Sequence, residues 1–259
     1  GSDPGAAFTA IIQIGTELAV ILYFRHDIIR ILGAWFGSLF GKEGKDFKSR
    51  MGAHNPDTQM GWFIILGTMP ILIAGLLFKH AIEGSLRNLW ITVTVLALFG
   101  VLLWVVDARS KQVKTMKEMT WKDALIFGIG QMLALIPGVS RSGGTITFGR
   151  AMGYTREAAV RVSFLMAIPA VFGAGILEAV SAVKDVAAGD AGMFPGWGPT
   201  IAAAIVAFVV GYVVIIGFLK FVSTFSYKAF AIYRIGLAIV VALLLITGVL
   251  SPLEAAAAA

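Results

Sequence analysis

Between residues 137 and 145 the chain reads Pro-Gly-Val-Ser-Arg-Ser-Gly-Gly-Thr. One guanidinium, Arg141, thus stands among three hydroxyls (Ser140, Ser142, Thr145) and two glycines (Gly143, Gly144). These residue types suit an anion. Glycine lets a ligand approach the backbone N–H groups of a helix start, and arginine offers a forked pair of donors that matches phosphate oxygens. The plainer alternative is a turn in which a serine caps a helix while the arginine reaches an interface. The string is not a P-loop, because no Gly-Lys-Ser/Thr follows. Six residues before Pro137, Gln131 either points along the chain toward this site or ties two helices by hydrogen bonding. Elsewhere, Gln13 and Glu17 stand one helical turn apart and share a face. Glu17 would serve as a base, a metal ligand or a partner for Arg141, or would hydrogen-bond across a helix interface. Tyr233 and Arg234 begin the last apolar run, where snorkelling to the interface accounts for the arginine and a catalytic role is the alternative.

The elements that must position these groups are membrane helices. Hydrophobic residues make up 58% of the 259, charged residues 14%, and the mean hydropathy is +0.86. A soluble domain carries about 25% charged residues, so the composition points to a bilayer. Six runs approach the ~20 apolar residues needed to cross: Ala6–Phe24, Trp62–Phe78, Leu89–Val106, Val162–Val180, Thr200–Phe218 and Phe230–Leu250. Helices are required because hydrocarbon offers backbone groups no partner. There is no cysteine, hence no disulfide framework and no thiol nucleophile, and the three histidines (His26, His54, His80) are too scattered for a zinc site. The net charge of +6 lies in short loops between apolar runs, which fits lipid headgroups and not nucleic acid.

The segment holding Arg141 differs from the spans. Ala124–Ile136 is apolar but too short to cross, and a second short helix is predicted from Thr145 to about Met152. Proline and glycine between them permit a tight reversal. The pattern predicts a re-entrant helix–turn–helix hairpin over 124–152, with its tip inside the membrane, where an unpaired cation costs at least about 3 kcal/mol. That placement favours anion binding over the plain turn. Loop charge agrees. The 25–61 loop (Arg25, Arg30, Lys42, Lys45, Lys48, Arg50) and the 107–123 loop (Arg109, Lys111, Lys114, Lys117, Lys122) are basic, while 79–88 holds only Lys79 and Arg87. With both basic loops cytoplasmic, residue 1 is extracytoplasmic, and re-entry keeps Arg150, Arg156 and Arg161 inside. Trp121 and Lys122 would rest on headgroups.

The expected architecture is one all-α polytopic membrane domain over 1–259, with six transmembrane helices plus the hairpin. Met69-Pro70 and the following Ala74-Gly75-Leu76-Leu77 are echoed by Ile168-Pro169 and Gly173-Ala174-Gly175-Ile176-Leu177. Three spans on either side of the hairpin then suggest an inverted repeat, 1–123 and 124–250, with 251–259 a tail. Under that plan a first hairpin should precede Ala6, so the chain is expected to be N-terminally truncated. Gly1-Ser2 resembles a cloning scar.

The stretch Pro137 to Ile146, preceded by Gly128-Ile-Gly-Gln131, resembles the second signature motif of the undecaprenyl-diphosphate phosphatase family. The resemblance extends over nearly the whole chain. Ile12-Gln13-Ile14-Gly15 with Leu18-Ala19-Val20, Gly67-Thr68-Met69-Pro70, Ser163-Phe164-Leu165 with Pro169, and Phe230-Ala231-Ile232-Tyr233-Arg234 also fit it. It implies an enzyme of the bacterial cytoplasmic (inner) membrane that hydrolyses a C55 isoprenyl diphosphate to the monophosphate. That reaction recycles the lipid carrier for peptidoglycan and bears on bacitracin resistance. By resemblance, Arg141, Ser140 and Ser142 are catalytic, Gly143, Gly144, Thr145 and Gln131 bind the diphosphate, and a divalent cation (Mg2+ or Ca2+) assists. The family's first motif pairs glutamates four apart, followed by Pro-Val-Ser-Ser and a histidine. Here Leu-Ala-Val-Ile follows Gln13-Ile-Gly-Thr-Glu17 instead. The metal-binding carboxylates are therefore expected in the missing N-terminal segment, and the chain as given is expected to be inactive. The expected partners are a polyprenyl diphosphate lipid and the bilayer, with a homodimer left open and no nucleic acid. The competing reading is a transporter or flippase for an anionic lipid or solute, since inverted repeats with broken helices also describe that class.

Overall fold

The computed structural model describes residues 6–78, 81–82, 86, 88–188 and 195–252. Lys79 and Arg87, the Gly1-Ser2 start and most of the 251–259 tail lie outside these. The described residues are mostly helical: α1 Ala6–Tyr23, α2 Arg25–Leu39, α3 Phe47–Arg50, α4 Pro56–Leu77, α5 Leu89–Arg109, α6 Trp121–Met132, α7 Arg141–Ala151, α8 Arg156–Ala188, α9 Trp197–Thr224 and α10 Lys228–Ile246. Four of them, α4, α5, α9 and α10, are long and apolar enough to cross a membrane. The runs at Ala6–Phe24 and Val162–Val180 fall on α1 and inside the 33-residue α8.

Two compact units divide the chain, one built from Gly1–Gly61 and Ala167–Phe221, the other from Trp62–Met166 and Val222–Ala259. In the first, the 25–61 segment expected as a loop is instead mostly helical. Ile28, Ile31, Trp35 and Ser38 recur at helical spacing on α2, with Ile31 and Ser38 buried. The Ser38 hydroxyl donates to the Arg50 carbonyl at 2.8 Å, and Trp35 lies against Gly61, where a Cβ would meet its ring at 2.9 Å. On the opposite face Ile29, Leu32, Phe36 and Phe40 are exposed. Charged residues dilute the apolar signal here, which is why a span search passes over α2. On α1, Gln13 donates to the Glu17 carboxylate at 3.0 Å, and Glu17 packs on Gly175 of α8.

The second unit carries the hairpin. Gly100 of α5 faces the Ala231 carbonyl and the Arg234 and Ile235 side chains of α10, where an added Cβ would stand 3.2–3.4 Å from them. Val93, Ala238 and Leu245 form the buried centre of that α5–α10 contact. The hairpin arms are α6, continued by a 3₁₀ turn over Leu133–Leu135, and α7. The 12-residue α6 with its three-residue 3₁₀ extension is about 24 Å long and the 11-residue α7 about 17 Å, both short of the ~30 Å hydrocarbon thickness. Both boundaries differ from the sequence expectation. The first arm starts at Trp121, because Thr120 and Asp123 form a capping box, so Trp121 and Lys122 are helical and not loop. The second starts at Arg141 and not Thr145, because Ser140 caps it.

Candidate anion site at the hairpin tip

The two arms run antiparallel with almost no side chain between them. Gly130 faces Gly144, and Phe127 faces Gly149 further from the tip. A Cβ on Gly130 would sit 2.9 Å from the Gly144 carbonyl oxygen, and one on Gly144 would collide with the Gly130 carbonyl. Gly138, with φ of +99°, makes the reversal and presses on the Thr92 carbonyl of α5.

At the tip, Ser140 has φ of +68°, a left-handed conformation that costs a side-chain-bearing residue about 1–2 kcal/mol. It is exposed, and its hydroxyl accepts from the Gly143 N–H at 3.3 Å while its carbonyl accepts from the Gly144 N–H at 2.8 Å. Arg141 and Ser142 follow as the first two helical residues and are half-buried. Gly143, Gly144 and Thr145 are buried in the first turn, and the Thr145 hydroxyl donates to the Arg141 carbonyl at 2.8 Å. An eleven-residue helix thus presents its N-terminus, with its partial positive charge, beside Arg141.

Arg234 joins this site, which sequence reasoning placed at the interface by snorkelling. Only 3% of it is exposed; one terminal nitrogen donates to the Gly138 carbonyl, and the other lies beside Gly143, where a Cβ would be 2.7 Å from it. Its Nε is buried and makes no hydrogen bond. A span that begins four or five residues before an arginine gives no hint that the side chain turns inward. The signal available was cost, since a cation inside hydrocarbon needs a reason. Its neighbour Tyr233 is 65% exposed and takes no part. Gln131 is fully buried and neither amide atom finds a protein partner, so it forms no tie to another helix among the described residues. Gln13 and Glu17 belong to the other unit.

At the far end of the hairpin, charges are saturated. Asp107, at the end of α5, accepts from Arg150 Nε at 2.8 Å, from Arg156 Nε and Nη2 at 3.0 Å each, and from the Tyr227 backbone N–H at 3.1 Å. Fully buried Arg150 also donates to the Asp107 and Tyr154 carbonyls. Beside it, the Tyr154 hydroxyl donates to Asp123 at 2.9 Å. Burial first, then that bond to a carboxylate, push the Tyr154 phenol well above its ordinary value of 10.0.

A divalent cation would need acidic ligands near Arg141. Among the described residues no three of His, Asp and Glu come together. The described carboxylates of this unit are engaged elsewhere: Asp107 and Asp123 as above, Glu118 with Thr115, and Glu157 with Arg161. The donor set at the tip does not by itself fit such an ion.

Fold and site together define a multi-pass helical membrane protein with a short helix–turn–helix hairpin whose tip brings Ser140, the first turn of α7 and Arg234 together. The family model described as "Bacitracin resistance protein BacA" matches residues 1–240, and the chain belongs to that family. It is 92% identical, over all of its 259 residues and 88% of the relative's length, to a protein of Bifidobacterium adolescentis named undecaprenyl-diphosphatase. Relatives of the same name from Bifidobacterium animalis subsp. lactis and Paenarthrobacter aurescens are 76% and 54% identical. These matches cover 98% and 93% of this chain and 85% and 84% of those proteins.

Proposed function

We propose that the protein hydrolyses undecaprenyl diphosphate to undecaprenyl phosphate and inorganic phosphate, recycling a lipid carrier for the cell wall. The observation that carries this reading is the cradle at the α7 N-terminus. There the half-buried Arg141 and the glycines of the first turn directly follow the strained, exposed Ser140. In the reaction water adds to the terminal phosphorus, the bridging P–O bond breaks, and the lipid monophosphate leaves. Such transfers need positioning and charge neutralisation above all. Arg141 supplies a bidentate cation. Ser140 Oγ now accepts from the Gly143 N–H, the place a phosphate oxygen would take, so an arriving phosphate would free that hydroxyl to contact the ligand. Ser142, Thr145 and the orphaned Gln131 amide complete the polar wall.

The same proposal has the hairpin re-enter the bacterial inner membrane from the cytoplasmic face, within six spans arranged as an inverted repeat. The short glycine-seamed arms support it, each being too short to cross. A divalent cation, magnesium or calcium, would neutralise diphosphate charge. Its ligands are not supplied by the described carboxylates of this unit, so no step is routed through it. A homodimer is open to light scattering in detergent.

The test is phosphate release from farnesyl diphosphate in detergent with magnesium, using this chain and one extended by the N-terminal motif that the resemblance implies. Release that depends on Arg141 supports hydrolysis. A folded, extended protein that binds the lipid and releases no phosphate would favour transport.

A further inference from the structure

Helix α2 suits neither the hydrocarbon core nor open water. Its 15 residues extend about 22 Å, too short to cross the ~30 Å core, and Arg25, His26, Asp27 and Arg30 crowd its first two turns. Yet Ile29, Leu32, Phe36 and Phe40 recur three and four residues apart as one exposed stripe, opposite buried Ile31 and Ser38. The apolar surface continues into the next element. Phe47, which opens α3, is 77% exposed and Phe40 is 88% exposed, so the protein covers neither ring.

Charge in the same segment is sorted by sign. Its three carboxylates are engaged within the protein. Asp27 pairs with Arg30 at 2.8 Å, Glu43 accepts from the Asn55 amide and the Thr58 hydroxyl, and Asp46 accepts from the Ser49 N–H and hydroxyl at 3.1 and 2.6 Å. Lys42, Lys45 and Lys48 are exposed and form no ion pair among the described residues. They alternate with Phe40 and Phe47 along one tightly built turn. A Cβ on Gly44 would stand 2.7 Å from the Ser49 hydroxyl, and the Ser38–Arg50 bond ties the turn back to α2. Uncovered rings beside uncompensated lysines match the boundary between acyl chains and anionic headgroups. We propose that α2 and the start of α3 form a foot lying in the membrane interface. Ile29, Leu32, Phe36, Phe40 and Phe47 sit in the acyl edge, and Lys42, Lys45 and Lys48 engage the phosphates of anionic phospholipid. Loop charge puts that surface on the cytoplasmic side. The foot gathers anionic lipid around the protein, whatever reaction the hairpin tip performs.

The chain has no cysteine, so a bimane fluorophore can be attached alone at Phe40→Cys or Phe47→Cys. Using both positions guards against one label disturbing the fold. The labelled protein is placed in vesicles of phosphatidylcholine and phosphatidylglycerol, one of which carries a nitroxide high on its acyl chain. Nitroxide on phosphatidylglycerol should quench either label at least about twofold more than nitroxide on phosphatidylcholine, and acrylamide in the water should quench little. Combining Lys42→Gln, Lys45→Gln and Lys48→Gln should bring that ratio to about one while lipid quenching itself persists. A label at Ile205→Cys, exposed on α9, should show no preference between the two lipids. Quenching by acrylamide in place of lipid would overturn the proposal by putting the stripe in water. A label reached by neither quencher would overturn it by placing a second copy or another protein on that face. So would a preference that survives the triple substitution, or one no larger than that at Ile205.

Discussion

The two ends of one hairpin treat charge in opposite ways. At the α7 C-terminus, Asp107 binds Arg150, Arg156 and the Tyr227 N–H, and the Arg150 donors are all taken. At the N-terminus, about 15 Å away along an eleven-residue helix, Arg234 keeps an unbonded Nε and Ser140 holds a strained backbone. Both ends carry buried arginine, so burial alone does not mark a site. What separates them is whether the protein completes the hydrogen bonding itself. The saturated end fixes the hairpin, and the end where Arg234 keeps an unbonded Nε is where the proposed reaction would seat its ligand.

Substitutions can break that contrast. The largest effect is expected from Arg141→Ala, which should cut phosphate release about 10²–10³-fold while the melting temperature without ligand stays nearly constant. Loss of folding instead would put Arg141 in the structural class. Asp107→Ala should do the reverse, destabilising the protein by about 3–5 kcal/mol by leaving Arg150 uncompensated. Denaturation in detergent reads this, and near-wild-type stability would show that the far end is not a lock. Gly144→Ala forces a methyl onto the Gly130 carbonyl and should cost about 1–3 kcal/mol, with activity falling as the arms part. The smallest effect is expected at Tyr154→Phe, about 1–2 kcal/mol for a bond to a carboxylate. The sign of its pH dependence follows from the raised phenol. The folded protein holds that proton more tightly than the unfolded chain, so the stabilisation is complete below pH 10 and is lost progressively above it. A melting-temperature scan from pH 8 to 11 should therefore fall less steeply at its alkaline end in the Phe variant.

Much of this was legible in the sequence where the signal is local. Arg141 among serines and glycines, the short apolar arm before Pro137 and the long spans all depend on neighbours in the chain. Arg234 reads from the sequence as a snorkelling residue and Asp107 does not stand out, because the partners of both lie far away in the chain. Gly138 precedes Arg234 by 96 residues, and Asp107 meets Arg150 and the Tyr227 N–H across 43 and 120 residues. Loop charge places Arg150 and Arg156 on the cytoplasmic side and says nothing of burial, and Arg150 is fully buried. Helix α2 was missed for another reason: its apolar residues occupy two faces with charges between, which lowers any running average.

The glycine-to-glycine seam between the arms has a consequence for how the protein meets its ligand. Carbonyls and Cα atoms touch where Gly130 faces Gly144, with no rotamer to choose and no side chain to freeze. If the proposed function holds, the site is shaped before a lipid arrives, and encounter would not have to wait for a loop to order. A headgroup drifting sideways in the leaflet meets a rigid socket. Capture would then be governed by how fast the two-dimensional fluid delivers carriers, and by how readily the spent one drifts off.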